Sequence, residues 1–228
     1  MQIHYAPITY TPHHASHAAA GYYTSPFNHC AVVVLDAIGE FECATIWEGR
    51  HGELRKVWSA SYPNSLGLFY SAFTHLLGMI PIRDEYLLQR MSDQGDLDRY
   101  YSVVSAYMTG TVQATKNMHK GIVDWPQAIT PADHCDIAAA VQQVFSQQVH
   151  QVMKKAKELT NADCLVYMGG CAMNSKTNKT IVEPMWPYRW TLPNPGDPSS
   201  SIGAVLYHTK QRIWDYNFGV AKHLEISV

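Results

Sequence analysis

The chain has 228 residues, of which 46% are hydrophobic and 16% are charged, and its formal net charge is −2 at pH 7. These values fit one large globular domain or two small ones and give no signal for nucleic-acid or membrane-surface binding. The sequence has no apolar run of 18 residues and no basic start followed by an apolar stretch, so it predicts neither a transmembrane span nor a signal peptide.

The cysteines also bear on the compartment. Five of them are scattered along the chain without a CxxC pair: Cys30, Cys43, Cys135, Cys164 and Cys171. This pattern predicts reduced thiols in a cytoplasmic protein and speaks against a cysteine-ligated zinc site.

The first half of the chain predicts a helix, three strands and further helices. An alanine-rich stretch follows Pro12, which suits a first helical turn. The run CAVVVLD is continuously apolar and fits a buried strand. The predicted elements are a helix at 11–23, strands at 30–36, 41–47 and 54–61, a helix at 66–77, and a mixed, mainly helical stretch at 83–123.

The second half predicts alternating helices and strands. Thr130, Pro131 and Asp133 form an N-terminal helix signal, and apolar residues recur after it at helical spacing. The elements that follow are a strand at 164–168, a short helix at 174–183, a strand at 190–192, and a final helix at 200–211. This order is that of one lobe of the actin-like, ribonuclease-H-like fold. We therefore predict an α/β fold in which helices flank a mixed five-stranded sheet.

The segment HHASH near the start contains a possible metal-binding pair. His13 and His17 are four residues apart, so on a helix they share one face with about 6 Å between their Cβ atoms. Two imidazoles at this spacing can hold one divalent metal. The HxxxH pattern alone is more often a polar helix end with solvated histidines. His14 points about 100° away, so we do not expect it to be a third ligand on that face.

Two acidic residues follow strands or rigid loops. Asp36 ends the apolar strand, where it can face a ligand outside the sheet or simply form a turn. Asp197 follows a proline-stiffened loop, which can deliver a carboxylate ligand or supply a helix N-cap.

A glycine pair lies between a predicted strand and a predicted helix. Gly169 and Gly170 would let backbone N–H groups approach a phosphate or ribose closely. Asn174 and Asn178, one helical turn apart, can present their amides to the same ligand. Each of these signals is weak by itself.

Together, six segments resemble the nodulation-factor and antibiotic O-carbamoyltransferase family. They occur in the family's order between about residue 10 and residue 210. The segments are HHASHAAAGYYTSPF, AVVVLDAIGE, NSLGLFYSAFTHLLG, DIAAAVQQVFSQQV, LVYMGGCAMNSKTN and PNPGDPSSSIGAVL.

The resemblance implies a metal centre and two catalytic residues. The implied ligands are His13, His17, Asp36 and Asp197, with Fe²⁺ as the expected ion and Zn²⁺ or Mn²⁺ as alternatives. Asp36 would be a ligand or a base toward the acceptor hydroxyl, and Asp36 and His14 are the predicted catalytic residues.

The resemblance also implies a nucleotide and a reaction. The implied contacts to the adenosine and ribose come from Gly39, Gly169, Gly170, Asn174 and Asn178. Family members transfer a carbamoyl group from carbamoyl-adenylate, made from ATP and carbamoyl phosphate, to a hydroxyl, while the metal polarises the carbamoyl carbonyl. The acceptor is left open: an antibiotic or other small molecule, a sugar, or a modified nucleotide, free or in DNA.

The sequence also departs from the family pattern. Family members carry a first lobe before the histidine pair and a C-terminal carbamoyl-adenylate synthase domain. We expect residues 1–29 to form the helix that bridges two lobes, residues 30–228 to form the second lobe, and a second polypeptide to supply the first lobe, the synthase domain or both. The family's KVMGLAPYG segment appears as LLQRMSDQG, with Gln89 or Arg90 in place of its lysine.

Two alternatives remain at this point. One is a non-catalytic scaffold or regulatory subunit of a larger carbamoyltransferase assembly, which the altered lysine segment favours. The other is a relative of the tRNA threonylcarbamoyl-transfer proteins. The GGxAMN and PNPGD forms resemble the O-carbamoyl branch more, and the sequence shows no basic patch for tRNA.

Overall fold

A mixed five-stranded sheet with helices on both faces forms the centre of the protein. The computed structural model describes residues 8–213, so residues 1–7 and 214–228 of the predicted domain lie outside the described part. The sheet order is β3-β2-β1-β6-β7, antiparallel from β3 to β1 and parallel from β1 to β7. Its strands are β1 (His29–Gly39), β2 (Glu42–Arg50), β3 (Glu53–Ser61), β6 (Cys164–Met168) and β7 (Tyr188–Trp190). The predicted α/β class and five-stranded mixed sheet are confirmed.

Eight α-helices are described around this sheet, and residues Asn178–Val182 form a π-helical turn between two of them. The helices are α1 (His13–Thr24), α2 (Leu66–Leu76), α3 (Glu85–Met91), α4 (Tyr101–Ser105), α5 (His134–Thr160), α6 (Ser175–Thr177), α7 (Glu183–Met185) and α8 (Asp197–Thr209). Two short strands, β4 (Met108–Thr109) and β5 (Gln113–Ala114), pair with each other. Within residues 8–213, none of the helices has the length and apolar character that crossing a bilayer requires.

Strand β1 is the shared wall of two hydrophobic cores. Side chains alternate across a strand, so Val33 and Leu35 pack toward α2 and α5 while Val32 and Val34 pack toward α1 and α8. All four are fully buried. Burial on both faces explains why this strand is a continuous apolar run rather than an alternating one.

Three predicted elements need correction. The last strand lies at Tyr188–Trp190 rather than at 190–192, because its pairing with β6 begins at an exposed tyrosine and arginine that carry no apolar pattern. The final helix begins at Asp197 rather than at 200, with Pro198 in its first turn. The stretch 83–123 contains α3, α4 and the β4–β5 pair separated by turns, so it is less helical than predicted.

Helix α1 is buried on all sides from His14 onward, since it lies between the sheet and α8. Because these neighbours lie close to the helix, only small side chains fit between them, which explains the alanine content of α1. Contact with α8 is tightest at Gly203, where an added Cβ would lie 1.8 Å from the carbonyl oxygen of Ser16. Contact with β6 is tight at Gly21, where a Cβ would lie 2.4 Å from a methyl group of Val166. These two glycines set how closely α8, α1 and the sheet approach.

We expect Gly203→Ala to lower the free energy of unfolding by about 1–3 kcal/mol, because the new methyl group has no space against Ser16. Urea denaturation measures this change. The matched control is Val205→Ala on the exposed side of the same helix, which should change stability by less than about 0.5 kcal/mol. Equal stability of the two variants would contradict this account of the α1–α8 contact.

Candidate metal centre

Helix α1 brings two histidines to one point. His13 and His17 are one helical turn apart, and their Nε2 atoms lie 3.0 Å from each other. The side chain of His17 is completely buried, whereas that of His13 is 24% exposed. The helical spacing predicted from the sequence therefore places both imidazoles at one site.

Two carboxylates complete the group from other elements. Asp36 lies where the regular pairing of β1 with β2 breaks after Leu35, and its Oδ2 is 3.3 Å from both histidine Nε2 atoms. Its Oδ1 accepts a hydrogen bond from the Ala37 backbone N–H at 2.8 Å. Asp197 is the first residue of α8, and its Oδ1 is also 3.3 Å from both Nε2 atoms.

These four residues, which we call the metal group, form a donor set that fits a divalent cation. Their ligand atoms all lie within 4.8 Å of one another, and this is the one such His/Cys/Asp/Glu group found among residues 8–213. Ligand atoms that share one ion at about 2.0–2.1 Å lie about 2.9–3.4 Å apart in octahedral or tetrahedral geometry, and an octahedral ion keeps further positions free for a substrate. The four N–O distances of 3.3 Å match this spacing. Two imidazoles with two carboxylates suit Fe²⁺, Zn²⁺ or Mn²⁺.

The electrostatics favour a ligand role for Asp36. Burial raises the pKa of its carboxyl, but hydrogen bonds with His13 and His17 outweigh burial and leave this pKa well below its usual range. The hydrogen bond with Asp36 in turn raises the pKa of His13. A carboxylate with a depressed pKa attracts a cation strongly but accepts a proton poorly. This favours Asp36 as a ligand over the alternative role as a base.

His14 lies behind the metal group rather than in it. Its Nδ1 is 3.0 Å from the hydroxyl of Thr45, which also accepts a hydrogen bond from the indole N–H of Trp47. Burial lowers the pKa of His14 to about 3, so the ring is neutral near pH 7. His14 is only 1% exposed, so a substrate cannot reach it directly at this position. Its catalytic role stays a prediction.

On the side of the His17 ring that faces away from the carboxylates, packing rather than a hydrogen bond fixes the ring. Its Nδ1 is buried and has no hydrogen-bond partner within the described residues, although ligating histidines usually donate this second N–H to an acceptor. Gly39 lies against the same cluster, where an added Cβ would be 2.4 Å from the His13 ring and 2.6 Å from the His14 ring. Gly39, predicted as a nucleotide contact, thus provides room for the two rings.

A cavity of about 350 Å³ lies beside Asp36. Its buried walls include Tyr70, Phe145 and Cys171. Of the residues predicted to contact a nucleotide, Gly170 and Asn174 line it. Gly169 is needed for packing instead, since it has a positive φ of 91° and a Cβ there would lie 2.1 Å from the carbonyl oxygen of Leu35.

Asn174 and Asn178, the two asparagines predicted to contact a nucleotide, both form hydrogen bonds within the protein. Asn174 Oδ1 accepts the Thr177 backbone N–H, and its amide nitrogen donates to Gln142. The Asn178 amide nitrogen donates to the carbonyl of Ala172. Asn174 therefore caps α6 and borders the cavity, whereas Asn178 holds the preceding loop.

Sequence reasoning missed most of the cavity lining. Gln89 lines it and donates a hydrogen bond to Ser175 at 3.0 Å, and the segment LLQRMSDQG was its one sequence signal. Sequence analysis assigned no role to six further lining residues, of which Ser71 and Met173 lie in family-like segments and the other four lie outside them. The six are Ser71, Ile82, Arg83, Glu85, Tyr86 and Met173.

Comparison with known proteins identifies the family. Residues 1–206 match the family described as the carbamoyltransferase N-terminus. The chain belongs to this family. The match covers α1, all seven strands and most of α8, so all four residues of the metal group lie within it.

Relatives in bacteria show the same likeness at low identity. An uncharacterized protein of Synechocystis sp. is 29% identical over 88% of this chain and 36% of its own length. Nodulation protein NolO of Bradyrhizobium diazoefficiens is 24% identical over 85% of this chain and 37% of its own length. Nodulation protein NolNO of Sinorhizobium fredii is 23% identical over 87% of this chain and 31% of its own length. The chain thus spans about a third of the length of these relatives.

We expect the protein to bind one divalent ion per chain and the variants His17→Ala and Asp197→Ala to lose it. Each removes one ligand, and affinity should fall at least about 100-fold, since even substitutions outside the ligand shell cost 10–100-fold. Elemental analysis after dialysis against each metal measures this loss.

The matched controls are His150→Ala and Asp163→Ala, both exposed and outside the group. They should retain the ion. Equal metal content in all five proteins would show that the ion binds elsewhere.

Proposed function

We propose that this chain carries the transfer centre of an O-carbamoyltransferase, which moves a carbamoyl group from carbamoyl-adenylate to a hydroxyl. The observation that supports this most is the His13–His17–Asp36–Asp197 group beside a cavity, in a chain of the carbamoyltransferase family. A bound Fe²⁺, or alternatively Zn²⁺ or Mn²⁺, would polarise the carbamoyl carbonyl and stabilise charge that develops on its oxygen.

The protein residues would hold and orient this centre. Both histidines are presented by one buried helix turn, which fixes their Nε2 atoms before any ion binds. Asp36 is fixed by its hydrogen bond from Ala37 and remains a carboxylate at neutral pH. A preorganised ligand set costs little rearrangement during the reaction.

The donor nucleotide would occupy the cavity beside Asp36. Its volume of about 350 Å³ and its mixture of apolar walls and a few polar groups are typical of small-molecule sites. Gly170 and Asn174 line it, as the proposed nucleotide contacts should. Because Asp36 lines the cavity and belongs to the metal group, a donor bound there would have its carbamoyl end near the ion.

The acceptor hydroxyl would approach from the open side of the centre. Asp197 is 74% exposed and His13 is 24% exposed, so this side faces outward from the described residues. We propose that further protein covers it during the reaction: a second polypeptide, or another part of a longer chain, that also supplies carbamoyl-adenylate from ATP and carbamoyl phosphate. A small molecule, a sugar or a modified nucleotide would be the acceptor.

The intact ligand set disfavours a purely structural subunit. A structural metal site is closed by its protein ligands, whereas this group is open on the side of His13 and Asp197 and borders a cavity at Asp36. A structural role does not require this opening, which leaves room for a substrate beside the ion.

We expect metal-loaded protein to release AMP from synthetic carbamoyl-adenylate, faster when a hydroxyl acceptor is added. Supplying the donor directly makes the synthase step unnecessary. Asp36→Asn keeps the size of the side chain but removes its charge, and should lower the rate at least about 100-fold. Chromatography of AMP and of the carbamoylated product gives the rates.

Asp163→Asn is the matched control, since this aspartate is exposed and precedes β6, at the opposite end of the β1–β6 pair from Asp36, and it should leave the rate unchanged. Wild-type protein that releases AMP no faster than Asp36→Asn would overturn the proposed function.

A further inference from the structure

Ile82 has a backbone conformation that glycine or asparagine adopts more readily than isoleucine does. Residues Ile80, Pro81, Ile82 and Arg83 form a turn in which the Arg83 N–H donates to the Ile80 carbonyl at 3.3 Å. The φ of Ile82 is +70°. Turns with proline second and a positive φ third have the type II pattern, which takes glycine or asparagine at the third position. A β-branched residue there is a strained exception.

Hydrogen bonds keep this turn in place despite the strain. The backbone N–H of Ile82 donates to Glu85 Oε1 at 2.6 Å, and the hydroxyl of Ser71 donates to the same oxygen at 2.7 Å. The backbone N–H of Ile80 donates to Asp84 Oδ2 at 2.9 Å. The turn is thus tied to α2 and to the start of α3, and these bonds involve only the backbone of Ile82. They would form equally well with glycine at this position.

The position of the Ile82 side chain indicates a functional role rather than a contribution to the stability of the fold. It is 91% exposed, so it adds little to the hydrophobic core, yet it lines the cavity beside the metal centre. Two other exposed apolar side chains line the same cavity, Tyr86 at 58% and Met173 at 60% exposure. We call Ile82, Tyr86 and Met173 the apolar rim. A strained, exposed and apolar residue at a cavity mouth is best explained by contact with an occupant.

We propose that the apolar rim clamps the flat base of the donor nucleotide and that Ile82 determines the affinity for it. This inference rests on the proposed function, which places an adenylate in this cavity. A heteroaromatic base has apolar faces for Ile82 and Tyr86, and its ring nitrogens can accept the Gln89 amide N–H that does not bond Ser175.

A purely aliphatic occupant fits these walls poorly. The carboxylates of Asp36 and Glu85 also line the cavity, and an aliphatic group would desolvate them without giving a hydrogen bond in return. An occupant with apolar faces and polar edges avoids this cost. The lining therefore favours a base over a lipid-like chain.

The test is calorimetric titration of metal-loaded protein with AMP. Ile82→Gly and Ile82→Asn remove the apolar side chain but suit a positive φ, so both should weaken AMP binding about tenfold without lowering the melting temperature. Ile82→Val keeps the contact and should bind AMP within about twofold of wild type. Ile80→Ala changes an apolar residue of the same turn outside the cavity lining and should bind AMP like wild type.

Three outcomes would overturn the inference. Wild-type affinity in Ile82→Gly and Ile82→Asn would show that Ile82 does not contact the nucleotide, and would leave the proposed function intact. A lower melting temperature or lost metal in these variants would show a structural role instead. A wild-type protein that binds no AMP would overturn both this inference and the proposed donor site.

Discussion

The contact of α8 with α1 at Gly203 is the constraint on which the metal centre depends. With no side chain at this position, the two helices approach until Gly203 lies against the carbonyl of Ser16. Asp197 begins the same helix and His17 follows Ser16, so the depth of this contact determines how far the Asp197 carboxylate stands from the imidazoles. Ligands distant in sequence meet because two helices pack closely, and no loop has to reach across.

Burial and charge act together at this centre. Asp36 and His17 lie in a poorly solvated place where a lone charge would be costly, and the imidazoles compensate for the carboxylate by hydrogen bonding. In this arrangement a divalent cation would replace the protons shared between the two residue types. The neighbouring cavity shares Asp36 with the metal group, so cation and donor nucleotide would meet at a single residue.

The sequence predicted local features well where one element determines them. Helical spacing placed His13 beside His17, and the Thr130–Asp133 signal proved real, since Thr130 donates both its N–H and its hydroxyl to the Asp133 carboxylate. Features that depend on tertiary packing could not be predicted from the sequence. The surroundings of His14 depend on which strand covers α1, and the turn at Ile82 lacks the glycine that would have revealed it.

We infer that one ion is held by two imidazoles and two carboxylates from α1, β1 and α8. X-ray absorption at the zinc edge of zinc-loaded protein, combined with anomalous diffraction from its crystals, tests this directly. We expect a single ion with two imidazole nitrogens at about 2.0–2.1 Å and carboxylate oxygens at about 2.0–2.2 Å, centred between His13, His17, Asp36 and Asp197. An ion coordinated only by oxygens, or an anomalous peak elsewhere on the protein, would contradict it.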